Sequence, residues 1–161
     1  MATPSFASAS AEFVDEIIRQ AELRLDAQLS AALAADQRAM TFAGLLFAGI
    51  AVLLGGDFGT FSREAAQPIL VVTIGFTMAA GCACWSARPS PWHYVGNFPA
   101  SWSDDISQGT SFDASRKETA SDLQELLDHN ESALQRAARW MRASMVTAVA
   151  SAVAGIALIL V

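Results

Sequence analysis

Pro68-Ile-Leu-Val-Val-Thr-Ile-Gly-Phe-Thr-Met-Ala-Ala-Gly-Cys-Ala-Cys-Trp-Ser-Ala87 is an unbroken run without a charge. Made helical, it is long enough to cross the hydrocarbon core of a bilayer, which takes about 20 apolar residues. Two more runs share the property, at positions 39–56 and 143–161. All the charged residues, 10 basic and 16 acidic, therefore fall outside the three runs. There they make up roughly a quarter of the chain, the ordinary fraction for soluble protein, against 16% for the whole sequence. The sequence consists of two materials, and it predicts an all-α integral membrane protein with three transmembrane helices. A soluble bundle would need flanking elements able to wrap three wholly apolar helices, and too little chain is left for that. A large soluble enzyme, a dinucleotide-binding domain and a disulfide-stapled module are excluded by the same segregation.

The flanks set an expected orientation. Nine of the ten basic residues lie in residues 1–38 or 88–142, and only Arg63 lies between the first two runs. Arg38, Arg88, Arg136, Arg139 and Arg142 sit at or within about two turns of a span end. Lys and Arg in short flanks mark the cytoplasmic side, so the N-terminus and residues 88–142 are expected in the cytoplasm and the C-terminus outside, across a bacterial inner membrane. Residues 1–38 carry no apolar core of the signal-peptide type. The net charge of −6 argues against nucleic acid as a partner, because phosphate contacts need a basic face.

Outward from the spans, the expected plan is a disordered N-terminus (1–9), a cytoplasmic amphipathic helix (10–38), the first span (39–56), an outer loop (57–67), the second span (68–87), a connector (88–114), a second cytoplasmic helix (115–142) and the third span (143–161). Two spans are thus continued as long cytoplasmic helices. Ser10 is placed to cap the first helix, with Glu12, Asp15 and Glu16 complementing its positive end. Phe13, Ile17, Ala21, Leu25, Leu29 and Leu33 recur every four residues and suggest an apolar stripe. Ser115-Arg-Lys-Glu118 has the spacing of a capping box. Leu123, Leu127, Asn130, Leu134, Ala137 and Met141 then follow at steps of four and three, the spacing of a coiled-coil seam. Within that seam Asn130 either fixes register and oligomer number or reaches solvent at its end. Gly44 with Ala48, Gly75 with Ala79 and Ala83, and Thr147 with Ser151 and Gly155 form rows of small residues that let helices approach closely. A homo-oligomer is the partner state these rows and the seam suggest, beside the lipid bilayer; an alanine-rich composition produces similar rows without any such role.

The connector is of a different kind. It holds Trp92, Trp102, the only tyrosine (Tyr94) and His93, one of two histidines. Disordered segments are poor in aromatics, so the connector is expected to fold against something. The rings of Trp92, Tyr94, Phe98 and Trp102 either anchor it at the membrane interface or form a recognition pocket, in which they stack a base, His93, Asn97 and Ser101 hydrogen-bond the base or ribose, and Arg88 or Arg116 pairs with a phosphate. Chemistry of other kinds finds no residues. Cys82 and Cys84, two apart on a helix, point in different directions, the two histidines lack metal-ligand spacing, and no span contains a charge for an ion relay. No cofactor, metal or enzymatic activity is expected.

The stretch Ala35-Asp36-Gln37-Arg38-Ala39 leads straight from the first cytoplasmic helix into the first span. With the hairpin, the cytoplasmic segment and the basic-flanked last span, it resembles the transmembrane effectors of Pycsar anti-phage systems; the two-span SLATT effectors share part of this plan. The resemblance covers most of the chain as topology, and the tract Gly96-Asn97-Phe98-Pro99-Ala100-Ser101-Trp102 stands outside it. It implies a membrane effector that senses a cyclic pyrimidine mononucleotide made during infection and then impairs membrane integrity. The competing expectation is a non-enzymatic scaffold that recruits a partner through the seam of Leu123 to Met141.

Overall fold

The computed structural model describes residues 6, 8–55, 63–96 and 100–160. Four helices account for the regular structure: α1 (Ala11–Gly55), α2 (Arg63–Ser86), α3 (Ser101–Gln108) and α4 (Phe112–Leu160). No strand occurs among the described residues. Of these helices α1, α2 and α4 are long and apolar enough to cross a membrane. The chain divides into two compact units, one of Met1–Ala32 with Ser90–Leu134, the other of Leu33–Pro89 with Gln135–Val161. Helices α1 and α4 supply residues to both.

In the first unit, the start of α1 is fixed by Ser10, whose Oγ accepts the Phe13 N–H at 3.5 Å. The core here is Ala21 and Leu25 of α1 against Leu123 and Leu127 of α4, with Ile18 and Leu126 at its edge. Within this unit the buried positions of α1 are Val14, Ala21, Leu25 and Gln28, with Ile18 half-buried, and these advance by alternating threes and fours. The four-residue stripe suggested by the sequence does not survive: Phe13 and Leu33 at its two ends are exposed. At 3.6 residues per turn, each step of four overshoots a full turn by about 40°, so five steps carry the stripe to the opposite face. A seam of average step 3.5 stays in register with a neighbouring helix, and that is the seam the core uses.

Helix α4 begins one turn before the Ser115 capping box. Ser111 takes the cap, its Oγ accepting the Ala114 N–H at 3.3 Å. Ser115 is buried and donates from its own Oγ to the Ser111 carbonyl. Ahead of it, α3 lies inside the connector and ends on Gly109, at φ 68°. The N–H groups of Gly109 and Thr110 return to the carbonyls of Ile106 and Asp105, a Schellman closure that needs the left-handed backbone glycine adopts without strain.

The second unit is built with small residues inside and large ones outside. Ala39, Ala43, Ala79, Ala80, Ala83 and Ala148 are buried. Around Leu46, Ala79, Ala80 and Ala148 pack Phe42 and Phe76. Ser144 Oγ donates to the Ala79 carbonyl at 2.6 Å, and Ser86 Oγ to the Ala137 carbonyl at 3.1 Å, so α2 and α4 are joined by hydrogen bonds at two levels. Leu45, Phe47, Val52, Ile74, Met78, Val146 and Val149 are exposed. Soluble proteins rarely leave so many large apolar side chains bare. Helix α2 starts at Arg63 rather than Pro68, so that residues 63–67, expected in a loop, are helical and Pro68 lies in the second turn.

Candidate functional site

The candidate site is the connector and the helices that hold it in the first unit. Its clearest feature is a clasp. Asn130, completely buried on α4, accepts the His93 backbone N–H on Oδ1 at 3.2 Å and donates from Nδ2 to the His93 carbonyl at 3.0 Å. One primary amide thus pairs with both polar groups of one residue, the same exchange that two strands make. Asn130 therefore does not reach solvent at the end of the seam; its amide is buried and partnered by the connector. A buried amide needs partners, and the connector supplies them. Next to the clasp, the His93 and His129 rings meet edge to face, centroids 4.9 Å apart.

Beyond the clasp the unit holds a cleft of about 270 Å³, lined by Ile18 and Glu22 of α1, Gly96, Trp102 of α3, and Phe112, Arg116, Thr119 and Leu123 of α4. Trp102 stacks on Phe112, centroids 6.0 Å apart and planes at 28°. The Arg116 guanidinium also lies against the Phe112 ring, 5.4 Å from its centroid, and is ion-paired with Asp15. The cleft thus has an aromatic wall, an apolar floor and a cation whose charge is already met by a carboxylate.

The residues singled out from sequence separate accordingly. Trp102 lines the cleft. His93 is held by the clasp through its backbone, and neighbouring Trp92 is half-buried, its indole N–H out of solvent and without an acceptor among the described residues. Tyr94 is exposed. Arg88 belongs to the second unit, where its guanidinium covers the Trp85 ring at 4.6 Å. Asn97 lies outside the described residues. Ile18, Glu22, Thr119 and Phe112 also line the cleft and are not among those residues. Three were legible as neighbours at helical spacing: Ile18 with Glu22, and Thr119 between Arg116 and Leu123 at steps of three and four.

The residues expected to mediate self-association are largely engaged inside the chain. Leu123 and Leu127 pack on α1, while Leu134 and Met141 are half-buried. At Gly75 an added Cβ would collide with the Ser151 side chain, and at Gly155 with Val72. Their closeness serves contacts within the second unit. Gly44 alone of the three faces open space. Cys82 and Cys84 are free thiols, one half-buried and one exposed. Among the described residues no group of three His, Cys, Asp or Glu side chains is placed to hold a metal.

In the first unit the ordinary titration behaviour of one carboxyl is strongly changed. Hydrogen bonds from Arg19 and Gln20 hold Glu16 down at about 2. That exposed cluster steadies the first turns of α1 and has no part in the cleft. Comparison of the chain with protein-family models, with curated proteins and with solved structures gives no match.

Proposed function

We propose that the chain is a non-enzymatic membrane effector. Its three apolar helices cross a bacterial inner membrane with the N-terminus and residues 88–142 in the cytoplasm, and its aromatic connector answers a small ligand by altering membrane integrity. The observation that carries the reading is the clasp of Asn130 on His93. A long connector that is fastened to a helix and closes one side of a cleft has a bound and an unbound arrangement available to it. A merely interfacial anchor needs no such fastening. The outward-facing Leu45, Phe47, Val52, Ile74 and Val146 support the membrane part of the reading.

The ligand class implied by the resemblance is a cyclic mononucleotide. The cleft, at about 270 Å³, falls just below the range of roughly 300–1,000 Å³ usual for small-molecule sites. A base stacks on Trp102 where it lines the cleft, and the phosphate competes with Asp15 for Arg116. Releasing Asp15 gives the ligand a differential affinity for one arrangement of α1 against α4, without which no ligand shifts a conformational equilibrium. Helices α1 and α4 continue without a break into the apolar segments, which provides the path for the response.

The scaffold alternative needs the seam of Leu123 to Met141 to be open. Leu123 and Leu127 packed on Ala21 and Leu25 weigh against it. Self-association of the effector then falls to surfaces other than the rows of Gly75 and Gly155.

The test is membrane potential in cells expressing the chain, with and without a co-expressed cyclase that makes cyclic pyrimidine mononucleotides. Ligand-dependent depolarisation that is lost in Trp102→Ala supports the proposal. Depolarisation under no condition, at verified membrane expression, overturns it.

A further inference from the structure

We propose that one end of the three-helix unit carries a binding site for the headgroup of an anionic phospholipid, formed by Arg88, Trp85, Trp140 and Arg136. Contacts within the second unit set the level of these residues. Gly49 of α1 faces Phe76 of α2, 3.2 Å from where its Cβ would stand, and Leu46 packs with Ala79 and Ala80; counting back along this antiparallel pair brings Arg38 level with the end of α2. On the other side Ser144 bonds to Ala79 and Ser86 to Ala137, which brings Arg88 level with Arg136. Five arginines, at positions 38, 88, 136, 139 and 142, are thereby gathered at one end of the apolar helices. All five are exposed, and none has an ion pair among the described residues. The only acidic residue within residues 33–48, 80–89 and 135–148 is Asp36.

The aromatic arrangement narrows the site. Trp85 and Trp140, both exposed, meet edge to face at 6.3 Å. Arg88 lies over the Trp85 ring, and Arg136 stands one helical turn from Trp140, on the same face of α4. Two indoles at the level where apolar helix gives way to arginine occupy the position tryptophan favours at a lipid headgroup. Guanidinium forks on either side match the oxygens of a phosphodiester. Basic clusters at the end of membrane helices select anionic over zwitterionic lipid by charge. This inference rests on the reading that the helices lie in a membrane, but it is independent of the connector and its ligand.

The experiment uses the full chain in nanodiscs, with Trp92→Phe and Trp102→Phe so that Trp85 and Trp140 remain as the only reporters. Quenching by dibrominated phosphatidylglycerol is compared with quenching by dibrominated phosphatidylcholine at equal mole fraction. The site predicts an excess of phosphatidylglycerol around the indoles of about fivefold, lost in R88Q/R136Q and reduced in R88K/R136K, which keeps the charges without the guanidinium forks. Native mass spectrometry of the unmodified chain gives an independent reading, in which retained phosphatidylglycerol exceeds phosphatidylcholine. Equal quenching by the two lipids with equal retention overturns the site while leaving the membrane reading intact. No quenching by either lipid overturns the membrane reading itself.

Discussion

Replacing Asn130 with leucine removes both hydrogen bonds on His93 while placing in the seam the residue that heptad packing favours. The helix pair is therefore expected to persist and the connector alone to loosen. Each neutral hydrogen bond contributes about 0.5–1.5 kcal/mol net, so the two bonds on His93 together hold the connector by about 1–3 kcal/mol. At about 1.36 kcal/mol per factor of ten, opening becomes roughly 5- to 150-fold more frequent. Amide hydrogen exchange resolved by mass spectrometry reads this directly, since local opening governs protection. Peptides covering residues 90–96 should exchange faster by that factor, with residues 115–128 unchanged. His93→Ala deletes the ring contact with His129 but leaves the backbone bonded, and should exchange as the unaltered protein does. Unchanged protection at residue 93 in the Asn130→Leu protein would refute the clasp. So would a uniform loss across α4, which would make Asn130 a residue of the helix core rather than a fastening.

Leu25, 1% exposed between α1 and α4, should cost about 2–5 kcal/mol when cut to alanine, read as a fall in the thermal midpoint of the detergent-solubilised chain. Gly75→Val must displace Ser151 and should destabilise by about 1–3 kcal/mol through overpacking. Gly44→Ala, facing open space, should be neutral or stabilising by up to about 1 kcal/mol, because glycine is the poorer helix former; the two melts run side by side separate packing from propensity. The Glu16 carboxyl, held at about 2 against an ordinary 4.5, should stay ionised down to that pH when followed by carboxyl-carbon NMR. Its pairing with Arg19 helps α1 at pH values above 4.5 and is lost as pH falls towards 2, and Arg19→Gln should return its titration towards the ordinary range.

Segregation of charge makes the three apolar helices legible, because a bilayer-length run with no charge has few other uses. The seam on α4 is legible for a related reason: steps of three and four residues keep one face towards a neighbour. What the pattern leaves open is the neighbour. Leu123 and Leu127 carry the same spacing whether they meet a second copy or α1 of their own chain, and only the three-dimensional arrangement distinguishes these. The spacing of α1 misleads because Phe13, Ile17 and Leu33 are apolar enough to complete a four-residue repeat, although Val14 and Gln28 are what the fold buries. Gln28 would not be chosen as a core residue from its type, yet its amide donates to the Leu127 carbonyl at 3.2 Å. Asn130 stands out as a polar residue among apolar ones, but its partner lies 37 positions away in a segment without periodicity. The cleft is legible in part. Trp102 stands out by composition, whereas Phe112 matters only once α1, α3 and α4 meet.

Three crossings of the bilayer underlie both the proposed response and the proposed lipid site. Single cysteines introduced as Ser8→Cys, Thr60→Cys and Ser107→Cys, with Cys82 and Cys84 replaced by serine, can be labelled with a membrane-impermeant maleimide in oriented inner-membrane vesicles. Positions 8 and 107 should react from the cytoplasmic face and position 60 only from the opposite face, in membranes that retain the chain through alkaline carbonate. Labelling of all three positions from one face, or release of the chain by carbonate, would contradict the account.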